Sequence, residues 1–330
     1  MTLARRLTFL IAVAALVLLL VEALVRIFAW GTLEFRLAEK RLHCLEANGD
    51  IGLCPDQRIR FRHPLGFEYT VSTNQLGERV TNIDDRDAPS QEVWIIGDSI
   101  AMGYGLDDER TAAAILARES GLAVRNLGVD ALGAGAIARR LKARLSGAQS
   151  PPALVAWPFH ASDFQDDQDD ASASAARRML RQAIFLISRH SALANALRLM
   201  GEELGLWGTP NRYVEPNAPA TPPVEPRPDH PTYAHIAEIG TMLRERGVRF
   251  AFLLYPEIDR TTGLASGSTP LKNRAASVAS ESGALIIDLR ARFAAYSDSD
   301  LYLARDGHPS VAANRFFAEA LQQLLRNARQ

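Results

Sequence analysis

The chain has 330 residues, of which 47% are hydrophobic and 23% charged, with a formal net charge of −1. This composition excludes a disordered, collagen-like or disulfide-framework protein, and the balanced charge gives no electrostatic reason to expect nucleic-acid binding. The length allows one large or two small domains.

Residues 9–21 read FLIAVAALVLLLV, and the apolar stretch extends from Leu7 to Trp30, broken mainly by Glu22 and Arg26. That is enough helix to cross about 30 Å of hydrocarbon. Glu22 and Arg26 stand four apart with the acid first, so they can pair on one helix face, and Arg26 is near enough to the end to snorkel. Arg5 and Arg6 precede the span, which favours a cytoplasmic N-terminus even though Arg36, Lys40 and Arg41 follow it. The expectation is a single-pass signal anchor over residues 1–30 in the cytoplasmic (inner) membrane, with the rest periplasmic or extracellular. A cleaved signal peptide is the rival reading. The apolar stretch is long for one, and no small-x-small site closes it.

Residues 31–64 read as a linker and hold the only cysteines, Cys44 and Cys54. In an oxidising compartment a disulfide across this short loop is expected, worth roughly 2–3 kcal/mol by loop-closure entropy; two unpaired thiols are the alternative. No Cys/His cluster has metal-ligand spacing.

From residue 93 onward, short β-rich runs alternate with amphipathic helical patterns. Strands are predicted at Val93–Gly97, Val124–Val129, Ala153–Phe159, Arg249–Tyr255 and Ala284–Leu289. Helices are predicted over 109–119, 132–146, 232–246, 271–282 and 310–327. Strand-helix alternation implies a parallel sheet covered on both faces, with ligands bound beyond the carboxyl ends of the strands. An insertion at about 164–231 breaks the rhythm. It opens with an acidic stretch (Asp163, Asp166, Asp167, Asp169, Asp170), continues as a helical run near 175–205, and closes with a proline-rich passage from Thr209 to Pro231. Within the run, Met179, Ala183, Leu186, His190, Leu193, Leu197 and Met200 form a stripe that is expected to pack on the sheet domain. The competing reading is a lid or a membrane-surface element; His190 reads as a packing residue rather than a catalytic one.

Chemistry is concentrated at two points. Val93-Trp94-Ile95-Ile96-Gly97-Asp98-Ser99 sets a serine just past the first strand, where its hydroxyl points into the crevice and its N–H can face a developing oxyanion. Serine needs a base. Asp306-Gly307-His308-Pro309, just before the last helix, offers one: Pro309 suits a first helical turn, so the loop before it can present His308, and Asp306 can orient the imidazole.

Val93–Gly105 and Leu301–Pro309 resemble the first and last blocks of the SGNH, or GDSL-type, hydrolase family. Asn126-Leu127-Gly128-Val129 resembles the second block, and Val71–Gly77 the lead-in strand of membrane-anchored bacterial members. The resemblance covers about 65–163 and 232–327. It implies an α/β flavodoxin-like three-layer sandwich over residues 65–330, with Ser99 as nucleophile, His308 as base, Asp306 as orienting acid, and the N–H groups of Ser99 and Gly128 as oxyanion donors.

There are two departures from the family pattern. Asp306 lies two residues before the histidine rather than three, where Arg305 stands. In the third block, Trp157-Pro158-Phe159-His160-Ala161-Ser162-Asp163, Ser162 takes the place of an asparagine whose amide is the third oxyanion donor. A serine hydroxyl is shorter but can donate one bond, with His160 as a substitute or merely a capped loop histidine. The function expected is a serine esterase acting on acyl, mainly acetyl, esters of small molecules or glycans, with no metal or organic cofactor required. The alternatives are a polysaccharide O-acetyltransferase using the same residues and a catalytically idle envelope scaffold or glycan-binding module.

Overall fold

The computed structural model describes residues 2–81, 92–204, 228–258, 265–266, 270–304 and 306–327. The chain opens with α1 (Leu3–Ile27), none of whose residues is buried, and α2 (Gly31–Leu42). Two antiparallel hairpins follow: β1 (His43–Leu45) with β2 (Ile51–Leu53), and β3 (Arg58–Arg62) with β4 (Glu68–Ser72). The Cys44–Cys54 disulfide is formed across the first.

The body of the fold is a five-stranded parallel sheet. Its strands are β5 (Glu92–Ile95), β6 (Ala123–Asn126), β7 (Leu154–Pro158), β8 (Arg249–Leu254) and β11 (Ala284–Asp288), in the spatial order β11-β8-β7-β5-β6. A short antiparallel pair, β9 (Glu257–Ile258) and β10 (Ala265–Ser266), lies between β8 and β11 in sequence. Numbered within the sheet alone, the order is 2-1-3-4-5, the flavodoxin-like arrangement, whose switch point falls between β5 and β7.

Alternation along the strands decides which helices cover which face. Trp94, Val155, Trp157, Phe250 and Phe252 point to one side. There α5 (Ala134–Gly147), α9 (Pro231–Glu245) and α10 (Pro270–Glu281) pack. Val93, Ile95, Leu154, Ala156, Ala251 and Leu253 point to the other, against α4 (Ala112–Ser120) and α13 (Val311–Asn327). The short helices α3 (Ser99–Met102), α11 (Arg290–Phe293) and α12 (Asp298–Leu301) fill loops between these elements. The result is the expected three-layer sandwich. Each of the five predicted strands and five predicted helices is present, with ends shifted by a few residues. Pro309 stands outside α13 and pairs instead with Tyr302, while Pro231 occupies the first turn of α9.

Two expectations are corrected. Residues 31–64 are not a linker: Phe35, Leu42 and Phe61 are fully buried in the same core as the sheet, and the β3–β4 hairpin straddles the expected boundary at 65. The signal missed is that β3 alternates as cleanly as a core strand, burying Ile59 and Phe61 and exposing its arginines. The insertion's helical run is the second case. It forms α7 (Ala175–His190) and α8 (Ala192–Glu203), the acidic stretch before it folds as α6 (Ser162–Ala171), and the proline-rich passage after it lies largely outside the described residues. The stripe does not pack on the sheet domain, since Met179, Leu186, Leu197 and Met200 are exposed and Phe185, Ser188, Ala192 and Asn195 are buried instead. Polar anchors override the apolar pattern here. Arg36 on α2 binds Glu202 at 2.5 Å, and Lys40 lies over the Phe185 ring at 5.3 Å, which turns the polar face of the hairpin inward. His190 is exposed and contributes only its carbonyl, to Arg26 Nη2 at 2.7 Å.

Candidate active site

The crest of the sheet holds the site. Gly97, at φ 141°, lets the chain leave β5 sharply; a Cβ there would sit 2.8 Å from the Ala101 side chain and 3.2 Å from the Trp157 ring. Asp98 then caps α3, its carboxylate accepting from the Ile100 N–H at 2.9 Å. Ser99 opens that helix, half-buried, at the carboxyl edge next to the switch point.

The Asp306–His308 loop reaches the same edge from the far end of the chain. It is a tight turn: the Leu303 N–H donates to the His308 carbonyl at 2.7 Å, and the Asp306 N–H donates to the Leu303 carbonyl at 3.1 Å. Gly307 supplies the left-handed residue the turn needs, at φ 87°. His308 Nε2 lies 2.9 Å from Ser99 Oγ, and Nδ1 is hydrogen-bonded to Asp306 Oδ1. The structure thus places Ser99, His308 and Asp306 in one hydrogen-bonded line across 209 residues of sequence. Burial alone would raise the Asp306 pKa, but its hydrogen bond to His308 holds the carboxylate below its usual range.

Two aromatic residues and a second histidine wall this line. The Tyr104 ring stacks on His308 at 4.4 Å. His63, from the end of β3, stacks on Phe67 at 4.2 Å, and its Nε2 faces Asp306 Oδ2 at 3.9 Å. The Leu65 N–H donates to His63 Nδ1 at 3.1 Å, so the ring proton sits on Nε2, toward the carboxylate. Burial pushes His63 down to about 4 despite the pull of Asp306, and it is neutral at physiological pH. Sequence reasoning missed His63 because it assigned the segment to a linker.

The turn after Ser99 is fixed by Arg79, fully buried. It donates to the carbonyls of Met102 at 2.9 Å and Gly103 at 2.7 Å, and its Nε binds Asp108 at 3.1 Å. Its planar fork of donors suits three converging carbonyl and carboxylate acceptors better than an ammonium would.

The expected oxyanion residues divide. Gly128 lies under α3, but its N–H donates to Asn126 Oδ1 at 3.0 Å and is not aimed at the serine. Its glycine has a packing cause: a Cβ there would fall 2.2 Å from the Met102 nitrogen. The structure therefore gives this N–H an intraloop partner in place of the role drawn from the second block. Three residues on, Ala131 holds φ 58°, a left-handed conformation rare for a residue with a Cβ. The preceding Asp130 bonds to His43 Nε2 at 2.5 Å, tying this loop to the end of α2. Ser162 Oγ donates to Asp98 Oδ2 at 3.1 Å and lies 2.7 Å from His160 Nδ1. One hydroxyl proton with two acceptors beside it leaves no second donor for an oxyanion. Elsewhere in the acidic stretch, Asp167 is structural, accepting from the Gly135 N–H at 2.9 Å and the Thr232 hydroxyl at 2.6 Å.

No family model matches the sequence, and no curated protein matches it. Among solved structures the chain is similar to TesA, with 16% identity over 72% of this chain and 99% of that one, at a TM-score of 0.43. It is also similar to a lipolytic G-D-S-L protein from Veillonella parvula, with 14% identity over 71% and 97% and a TM-score of 0.44. A third is the psychrotrophic esterase EstA from Pseudoalteromonas sp., with 14% identity, 72% and 98% coverage and a TM-score of 0.43. Other similar solved chains carry the names lipolytic G-D-S-L protein and SGNH hydrolase, and at these identities the likeness is one of fold.

Proposed function

We propose that the protein is a membrane-anchored serine esterase that cleaves acyl esters outside the cytoplasm. The observation that carries this is the line Ser99 Oγ, His308 Nε2, Nδ1, Asp306 Oδ1 at the carboxyl edge of the sheet. His308 accepts the Ser99 proton as Oγ attacks the ester carbonyl, then returns it to the departing alcohol; water cleaves the acyl-serine by the same relay. Asp306 stays ionised and fixes the imidazole tautomer. The oxyanion is met by the Ser99 N–H and by an N–H of the 130–132 loop, where the left-handed Ala131 stores about 1–2 kcal/mol of strain of the kind concentrated at functional sites. Ser162 acts one step back, bracing Asp98 and so the start of α3.

The anchored part of the reading draws on Glu22. Its carboxylate accepts from the Ser191 hydroxyl and from the Ala192 and Leu193 N–H groups at 2.7–2.9 Å, capping α8, while pairing with Arg26 at 2.7 Å. Cleaving α1 away would leave the N-terminus of α8 without this cap. With Arg5 and Arg6 at its other end, α1 sets the fold on the outer side.

The test is activity-based labelling. A fluorophosphonate should label the full chain in detergent, and Ser99→Ala should abolish both labelling and turnover of p-nitrophenyl acetate. Label that persists in the Ser99→Ala variant would move the nucleophile elsewhere, and a folded protein that neither labels nor turns over would favour an idle scaffold.

A further inference from the structure

We infer that the α7–α8 hairpin is a membrane-docking element, lying in the outer interface of the bilayer that α1 crosses; this rests on the anchored reading above. On α7, Met179, Leu180, Ile184, Leu186 and Ile187 are 41–70% exposed, and on α8 Leu197 and Met200 are 51% and 56% exposed. Two successive helices that leave so much apolar surface uncovered need a partner. Three observations identify it as lipid.

The first is depth. A helix rises 1.5 Å per residue, so about 30 Å of hydrocarbon counted from Arg6 ends near Arg26. Glu22 therefore lies about 6 Å inside the outer boundary. It is bonded to the first turn of α8, so the junction between α7 and α8 is held at that same depth. Interfacial amphipathic helices bury their apolar faces by about 5–10 Å.

The second is charge. From Ala175 to Gly201 the chain has Arg177, Arg178, Arg181, Arg189 and Arg198 and no acidic residue. Arg177, Arg178, Arg181 and Arg198 are exposed, Arg198 sharing its guanidinium with Glu202 at 2.9 Å, and together they give the exposed surface of the hairpin the positive charge that suits anionic headgroups. The third is that the opposite face is already occupied. Phe185 and Glu202 engage Lys40 and Arg36 of α2, so the apolar side cannot turn inward. Docking of this kind would hold the crevice, reached through α6 directly from Ser162, close to the bilayer.

The native cysteines are joined, so a single added cysteine can carry an environment-sensitive NBD label. The full chain is reconstituted in vesicles of equal parts phosphatidylcholine and phosphatidylglycerol, with or without lipid brominated high on the acyl chain. Labels at Leu180→Cys and Ile187→Cys should be blue-shifted and quenched by the brominated lipid, while Ser146→Cys on α5 stays water-like and unquenched. A Leu16→Cys label inside α1 reports on the anchor separately. Quenching at 16 with water-like emission at 180 or 187 would overturn the docking and leave the anchor standing. Blue-shifted but unquenched labels at 180 and 187 would mean that a second copy of the chain covers the face, which also overturns it. No quenching at 16 would remove the anchor and the docking together.

Discussion

The neutral, buried His63 should leave a measurable signature in acid. Its side chain has no exposure, and burial takes its imidazole from an ordinary 6.5 to about 4. A shift of that size, at about 1.36 kcal/mol per unit, makes protonating His63 in the folded state cost about 3 kcal/mol more than in the unfolded chain. Between pH 6.5 and about 4, the unfolded chain therefore binds a proton here that the folded one does not, and stability falls as pH falls through that window. His63→Gln removes this titration while keeping a polar side chain beside Asp306. Urea unfolding in detergent micelles, followed by tryptophan fluorescence, would measure both proteins from about pH 7.5 to about pH 4.5. The native advantage over the variant should shrink by about 2–3 kcal/mol across that range. Glu39 and Asp166, both raised to about 7 chiefly by burial, titrate in both proteins and cancel from the difference. A difference that does not move with pH would mean that His63 is protonated or solvated in the fold, and the argument from its burial would be wrong.

Other outcomes follow from the same geometry. Ser99→Ala and His308→Ala should each cost several decades of esterase kcat, and the double variant little more, because the pair acts as one unit. Ser162→Ala should slow turnover by less than about tenfold if the hydroxyl only braces Asp98, whereas loss of an oxyanion donor costs about 10²–10³; kcat on an aryl acetate separates the two. Arg79→Met removes a donor from the carbonyls of Met102 and Gly103 and takes the buried cation away from Asp108, and should lower the urea midpoint clearly. Gly128→Ala, forced against the Met102 backbone, should destabilise by at least about 1–3 kcal/mol, read in the same titration.

The sheet was legible because each strand is a short apolar run bounded by turn residues and each covering helix keeps its 3.6-residue period. The meeting of Ser99 and His308 was legible for a related reason: Ser99 follows the first strand of the sheet and His308 precedes the last helix, so topology alone brings them to one edge. What escaped detection depends on side-chain choices among equals. Gly128 could be a donor or a packing necessity, and the N–H bond to Asn126 Oδ1 with the 2.2 Å approach of Met102 distinguishes them. The stripe on α7 and α8 was a true amphipathic pattern, but periodicity does not say which face turns inward; Arg36, Lys40 and Glu202 settle it through long-range pairing. His63 could not be weighed as a neighbour of Asp306 until the hairpin that carries it was known to be folded.

Between Ile27, where α1 ends, and Gly31, where α2 begins, only three residues intervene, and α2 is itself locked into the core by Phe35 and Leu42. Three extended residues reach about 10 Å. With α1 in a bilayer, such a short leash denies the enzyme the roaming volume that a long polar tether would give. Ser99 patrols a thin slab of space at constant height, moving only as fast as its helix diffuses in the plane. Its substrates are then chosen by altitude as much as by chemistry: an ester carried beyond that slab on a long glycan is out of reach, however well it would fit the crevice.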